Sequence, residues 1–255
     1  MQKIVFITGA TSGFGKACAY LFASHGYDII LNGRRKDRLH AIADEIERKY
    51  NVAVCQLPFD VRFERDVYAA VNNLPEEWKK IDVLVNNAGL ALGRDFFEEA
   101  STEDWTVMID TNIKGFLFVA QAVSKLMTAN KKGHIINMGS IAGREIYEKG
   151  NVYCATKFAV DALSRSMRVD LLRHGIRVTA VNPGAAETEF SIVRFKGDEE
   201  NAKKTYEGLQ PLTAEDVAGV VYYCTTVPEH VCINDISVTC VQQASTIYFN
   251  RSNTA

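Results

Sequence analysis

The 255-residue sequence has only five prolines, and they are scattered, so no proline-rich linker or low-complexity stretch divides it. Its hydrophobic runs are strand-length, far short of the roughly 20 residues a membrane span needs. With 29 basic against 31 acidic residues the net charge is −2, which lacks the basic excess expected of a nucleic-acid binder. Cys18, Cys55, Cys154, Cys224, Cys232 and Cys240 form no C-x-x-C pair, and the five histidines form no H-E-x-x-H pattern, so no metal site is readable. Unpaired thiols of this kind suit a reducing, cytoplasmic setting. Met1-Gln2-Lys3 leads into an apolar run without a signal-peptide layout, and no internal repeat is apparent. What is present is apolar material: 47% hydrophobic residues suffice for one large core, and a single domain over residues 1–255 is expected.

Short β-branched runs alternate with helical patterns, the signature of a parallel sheet covered on both faces. Strands are predicted near 3–8, 27–32, 52–57, 81–85, 133–139, 176–181 and 233–240. Helices are predicted near 14–25, 36–49, 62–73, 102–129, 151–174 and 213–226. Pro183 and Gly184 end the sixth strand, and a long irregular insertion over about 185–212 follows. Loops of that length are usually functional or disordered.

Four motifs carry chemistry. The first strand runs into Gly9-Ala10-Thr11-Ser12-Gly13-Phe14-Gly15 and then a helix. Glycines there allow a tight turn and a close approach to a pyrophosphate, which the helix N-terminus favours with free N–H groups. Asn86-Asn87-Ala88-Gly89 closes the fourth strand, and adjacent asparagines there can bridge backbone groups of neighbouring loops. His134 to Gly139 forms a strand ending in the hydroxyl of Ser140. Tyr153 and Lys157 stand four apart on a helix, on one face and roughly 5–6 Å apart at Cβ. A cation beside a phenol, whose free pKa is about 10, pulls it toward the working range of a general acid/base.

In this order, with Asn112 and Asn182-Pro183-Gly184, the motifs resemble the short-chain dehydrogenase/reductase family over about residues 3–242. The resemblance implies one α/β, doubly wound Rossmann-type domain with a seven-stranded parallel sheet in the order 3-2-1-4-5-6-7. It implies hydride transfer between a nicotinamide and an alcohol or carbonyl carbon, with the catalytic set Asn112, Ser140, Tyr153 and Lys157. Tyr153 is then the acid/base, Ser140 positions the substrate oxygen, and Lys157 lowers the tyrosine pKa and binds the nicotinamide ribose. Asn112 falls on a water-linked proton path behind Lys157; otherwise it is a core polar residue satisfying backbone groups. Gly9, Thr11, Ser12, Gly13, Phe14 and Gly15 hold the pyrophosphate, and Asp60 and Val61 the adenine ring. Asn87, Ala88 and Gly89 line the ribose side, and Pro183, Gly184, Ala185 and Thr188 hold the carboxamide. The 185–212 segment is the substrate lid. Family members commonly pair two long helices, here 102–129 and 151–174, into homodimers or homotetramers. The stripe Phe116, Leu117, Val119, Ala120 and Val123 is the expected surface.

Cofactor choice follows from the second strand, which ends Leu31-Asn32-Gly33-Arg34-Arg35 without an acid. A carboxylate there binds the ribose 2′-OH of NAD, whereas arginine suits the 2′-phosphate of NADP. NADP is therefore expected; the alternative is that Arg34 and Arg35 only begin a solvated helix. Thr188 to Asp198, with Asn86 to Gly93, resembles the NADP-dependent 3-hydroxy acid (serine) dehydrogenases. Those act on serine, allo-threonine, 3-hydroxyisobutyrate and malonic semialdehyde. A substrate carboxylate then pairs with Arg194, Lys196 or Arg144, unless these cations lie on the outer face. Two rivals stay open: a reductase of another small carbonyl or sugar alcohol, and a non-catalytic NADP(H)-sensing protein.

Overall fold

The computed structural model describes residues 2–252; residues 1 and 253–255 of the expected domain lie outside it. Seven strands form one sheet: β1 (Ile4–Ile7), β2 (Asp28–Asn32), β3 (Val54–Leu57), β4 (Ile81–Asn86), β5 (His134–Met138), β6 (Arg177–Pro183) and β7 (Asp235–Val238). Every pairing is parallel and the order is β3-β2-β1-β4-β5-β6-β7, as the resemblance implies. The helices are α1 (Gly13–Ser24), α2 (Lys36–Tyr50), α3 (Glu64–Asn72), α4 (Thr102–Ile109), α5 (Phe116–Asn130), α6 (Asn151–Leu171), α7 (Glu189–Arg194), α8 (Glu199–Lys204) and α9 (Ala214–Thr226).

Alternation along β1 shows why both faces are apolar. Val5 and Ile7 join a core with residues of α1, α2 and α9, while Ile4 and Phe6 join the opposite core with α3 and α5. The chain reverses direction across the sheet between β1 and β4, and the carboxyl ends of these strands open a crevice, the usual ligand position in such sheets.

Three expectations need correction. The predicted helix 102–129 is interrupted by a π-helical turn, Asp110–Gly115, between α4 and α5. Such turns add a residue to the helical repeat and re-aim a side chain, here Asn112. The 185–212 segment is not irregular, because it holds α7 and α8. Their N-caps are Thr188 and Asp198, whose side chains accept from Phe190 N and Asn201 N. Lys196 and Gly197, at φ of 55° and 96°, make the left-handed turn between them. Most of the stripe on α5 faces inward, since Phe116, Val119, Ala120 and Val123 are buried and Leu117 is half-buried. Among the described residues no helix is long and apolar enough to cross a membrane.

Candidate active site

A cleft of about 1170 Å³ lies over the carboxyl ends of the strands. One wall is the glycine-rich turn. Gly9 has φ of 66°, and a Cβ on Gly15 would stand 2.4 Å from Gly9 O, so this turn closes only with glycine. Asn87 ties it to β4: its Nδ2 donates to Thr8 O at 2.8 Å, and the Thr8 hydroxyl accepts from Asn87 N and Ala88 N, both at 2.9 Å. Asn86 spans to Phe116 O at 3.0 Å. Both asparagines thus bridge neighbouring backbone. Ser12 is the N-cap of α1 but makes no capping bond with its side chain, leaving the helix N-terminus to the cleft.

Arginines gather beside this turn. Arg35 donates Nε and Nη2 to the Thr11 hydroxyl at 3.1 and 2.7 Å, and Nη2 to Ser12 Oγ at 2.9 Å. Its Nη1 meets Glu189 of α7 at 3.0 Å, and Arg38 meets the same carboxylate at 2.8 and 3.0 Å. Arg34 is largely exposed, 3.8 Å from Asp60. Burial pushes the Asp60 carboxyl up, but hydrogen bonds from Arg62 and the nearby Arg34 charge outweigh it and hold the group below the carboxylate range. Sequence reasoning missed Gly33, Arg38, Glu189 and Gln243. Gly33 is required because a Cβ there would come within 2.6 Å of the Thr11 methyl.

The far wall carries the phenol. The 3-10 turn Ile141–Gly143 packs against α6, where a Cβ on Gly143 would lie 2.6 Å from Lys157 O. This close approach brings Ser140 beside Tyr153. Ser140 Oγ accepts from Ala142 N at 3.1 Å and donates to Pro183 O at 3.4 Å. Tyr153 and Lys157 are both 8% exposed and line the cleft. Lys157 Nζ donates to Met138 O at 2.9 Å and lies 6.0 Å from the Tyr153 ring centre. Burial pushes the lysine down to about 8.

Tyr153 departs from expectation. Burial raises its pKa, the neighbouring Tyr147 adds to that, and the groups pulling it down are Ser140, by hydrogen bond, and Arg194, by charge. Lys157, whose ammonium donates to the Met138 carbonyl, is not among the groups that lower it. Asn112 lies wholly in the core: Oδ1 accepts from Leu90 N at 2.9 Å, and Nδ2 donates to Leu90 O at 2.8 Å and Thr156 Oγ1 at 3.1 Å. It does not line the cleft, and neither does Gly15.

Phe14, Gly13, Val61, Ala88, Gly89, Pro183, Gly184, Ala185 and Thr188 do line it. The Ala185 N–H is taken by Gln243 Oε1 at 2.7 Å, so a buried glutamine stands where a carboxamide was expected. Among the three candidate cations the structure discriminates. Arg144 turns away from the cleft onto Asp235 and, at 3.8 Å, Asp161, which removes it as a substrate residue. Lys196 is at the rim but its charge is spent on Asp104 at 2.8 Å. Arg194 donates to Gly93 O at 3.2 Å and Tyr147 Oη at 2.8 Å, with its guanidinium carbon 5.6 Å from the Tyr153 ring centre. Among the described residues no carboxylate pairs with it. The difference is one of long-range partners, which spacing does not reveal.

A crevice at the strand reversal, floored by a buried phenol, ammonium and hydroxyl and walled by a glycine turn, is the layout of the Rossmann-type oxidoreductases. The profile described as short chain dehydrogenase matches residues 3–199, and the chain belongs to that family. The NADP-dependent 3-hydroxy acid dehydrogenase YdfG of Salmonella typhi is 48% identical over 242 residues, covering 94% of this chain and 96% of that one. Sulfoacetaldehyde reductase 2 of Chromohalobacter salexigens is 44% identical over 245 residues, 96% of either chain. The solved closed form of serine dehydrogenase complexed with NADP⁺ superposes with a TM-score of 0.90 at 45% identity, covering 98% of this chain and 100% of that one.

Proposed function

We propose that the chain is an NADP-dependent oxidoreductase that moves hydride reversibly between the nicotinamide and a small 3-hydroxy acid or its semialdehyde or keto acid. The observation that carries the substrate class is Arg194, a cation with no carboxylate partner among the described residues, set against the phenol that handles the proton. A planar guanidinium pairs an anionic oxygen group in the substrate and fixes which carbon faces the cofactor. The residues fit NADP: an α1 N-terminus free of side-chain capping, a turn with no room for a Cβ at Gly15, and Arg34 and Arg35 beyond β2. When bound, the cofactor supplies or accepts the hydride.

Tyr153, held protonated by its burial at neutral pH, gives its proton to the carbonyl oxygen during reduction and takes one back during oxidation. Ser140 hydrogen-bonds the same oxygen, and Lys157 holds the ribose on the nicotinamide side. Asn112 acts as a positioning residue through Thr156, whose hydroxyl donates to the main-chain carbonyl of Tyr153 at 2.8 Å. The 185–212 segment is the lid that brings Arg194 to the substrate, and the chain folds as one unit around this site. Six free cysteines support a reducing, cytoplasmic setting. Exposed Phe158 and Val169 on α6 support a homodimer or homotetramer built on that helix, and a monomer in light scattering at micromolar concentration removes that assembly.

The test is NADPH oxidation on malonic semialdehyde, then NADP⁺ reduction with serine, allo-threonine and 3-hydroxyisobutyrate. Turnover of these acids above neutral alcohols of equal size is expected. The 44% identity to a sulfoacetaldehyde reductase favours one second reading, a sulfonate in place of the carboxylate at Arg194. Preference for sulfoacetaldehyde in the same panel selects it, and turnover of neutral substrates alone overturns both.

A further inference from the structure

Arg35 is the N-cap of α2 and Arg38 follows three positions on, on the same face. Their guanidinium groups converge on one carboxylate, Glu189, at 3.0 Å and at 2.8 and 3.0 Å. The remaining donors of Arg35 are pinned to Thr11 and Ser12 of the glycine-rich turn. An anion site therefore exists between that turn and α2, and a side chain from the lid fills it. Folding of α7 does not require this carboxylate, since Thr188 caps the helix. Among the described residues the only hydrogen-bond and ion-pair partners of the Glu189 carboxylate are the two arginines.

We propose that Glu189 is a built-in anion that occupies the Arg35–Arg38 fork until the 2′-phosphate of NADP(H) replaces it. Cofactor loading then releases the α7 end of the lid, and Arg38 joins Arg35 as a phosphate-reading residue. This rests on the NADP reading above. Charge favours exchange over sharing. Two guanidinium groups balance a phosphate monoester of about −1.5 to −2 charges, and a carboxylate kept in the same fork leaves an excess negative charge. Arg34 does not absorb that excess, because Asp60 already stands 3.8 Å from it. The Glu189 side chain is 42% exposed, and ion pairs at such exposure are weak and give way to a stronger anion.

Glu189→Gln keeps the shape and removes the competing charge. In fluorescence titrations without substrate, NADPH is expected to bind at least threefold more tightly to this variant than to wild type, with NADH unchanged. Arg38→Ala is expected to weaken NADPH alone, and in that background Glu189→Gln is expected to add much less, since the two residues share one interaction. Release of the lid is read separately by amide exchange over residues 189–194. Adenosine 2′,5′-bisphosphate, which presents the phosphate without a nicotinamide, speeds exchange there, and adenosine 5′-monophosphate does not. Weaker or unchanged NADPH binding in Glu189→Gln, an equal shift for both cofactors, or slower exchange with the bisphosphate overturns the exchange. Equal NADPH and NADH affinity in wild type instead overturns the NADP reading itself, so the two failures are distinguishable.

Discussion

The Arg194 guanidinium lies 5.6 Å from the centre of the Tyr153 ring, and its charge is among the influences that lower the tyrosine pKa against the raising effect of burial. A residue of α7 is thereby set against the Tyr153 phenol. Arg194→Met keeps an apolar stem and removes the charge. For 3-hydroxy acids, losing one charge-assisted contact predicts a fall in kcat/KM of about 1.5–3 kcal/mol, roughly tenfold to 150-fold. A neutral alcohol of similar size has no charge to lose and is expected to change little. Steady-state kinetics on the matched pair decides it, and equal losses for both substrates remove Arg194 from carboxylate recognition.

Tyr153→Phe retains the ring that packs edge-on against Phe190 at 5.7 Å and removes the only ionisable proton that side chain carries. Turnover is expected to drop by at least a thousandfold, in line with general acid/base catalysis combined with loss of oxygen positioning. NADPH affinity is expected to stay within a few-fold of wild type. Turnover near the wild-type rate would mean that another group handles the proton.

The sheet is legible in the sequence because each strand is a short apolar run with punctuation at its end. Ile4 to Ile7 before Gly9, and Ile81 to Val85 before Asn86, are the plainest cases. The cluster of Ser140, Tyr153 and Lys157 in the cleft is legible because all three belong to local patterns. The arginine–glutamate fork is not, since Arg35 and Glu189 lie 154 positions apart and no pattern in either segment announces the other. The same holds for Arg144 and Lys196, whose acidic partners sit on elements that only the fold brings near. For α7 and α8 a signal was present: Thr188 and Asp198 stand as N-caps before Glu189 and Glu199. Their six-residue length hid them, because a single turn and a half has little periodicity to read.

His134 offers a test of the acid side. Its ring sits on the Thr179 hydroxyl at 2.7 Å, and burial, reinforced by the Arg177 charge, pushes its pKa down to about 3. As pH falls below about 6.5 the unfolded chain gains a proton that the folded chain refuses, so stability drops from there toward pH 3. Each pH unit costs about 1.4 kcal/mol, which comes to roughly 3 kcal/mol by pH 4.5. His134→Gln, which can still bond Thr179, is expected to flatten that slope by this amount in urea melts at pH 7 and 4.5. A wild-type slope in the variant would mean that the imidazole titrates normally.

Lys157 works in the opposite pH range. Its folded pKa of about 8 lies below its ordinary 10.5, because burial penalises the ammonium. Below pH 8 both states are protonated and the folded chain carries the full penalty. Between pH 8 and 10.5 the unfolded chain still binds the proton that the folded chain has released, so stability rises with pH through that window. The penalty at pH 7 is about 3 kcal/mol. Lys157→Met relieves it but leaves Met138 O without its 2.9 Å donor, a loss of about 1 kcal/mol. The variant is therefore expected to be about 2 kcal/mol more stable than wild type at pH 7, and to lose that advantage by pH 10. Denaturation at the two pH values checks the sign. Activity is expected to fall despite the added stability, since on the proposed function the charge that costs the fold is the one that holds the cofactor ribose. A variant that is both less stable at pH 7 and fully active would show that the buried ammonium is neither strained nor used.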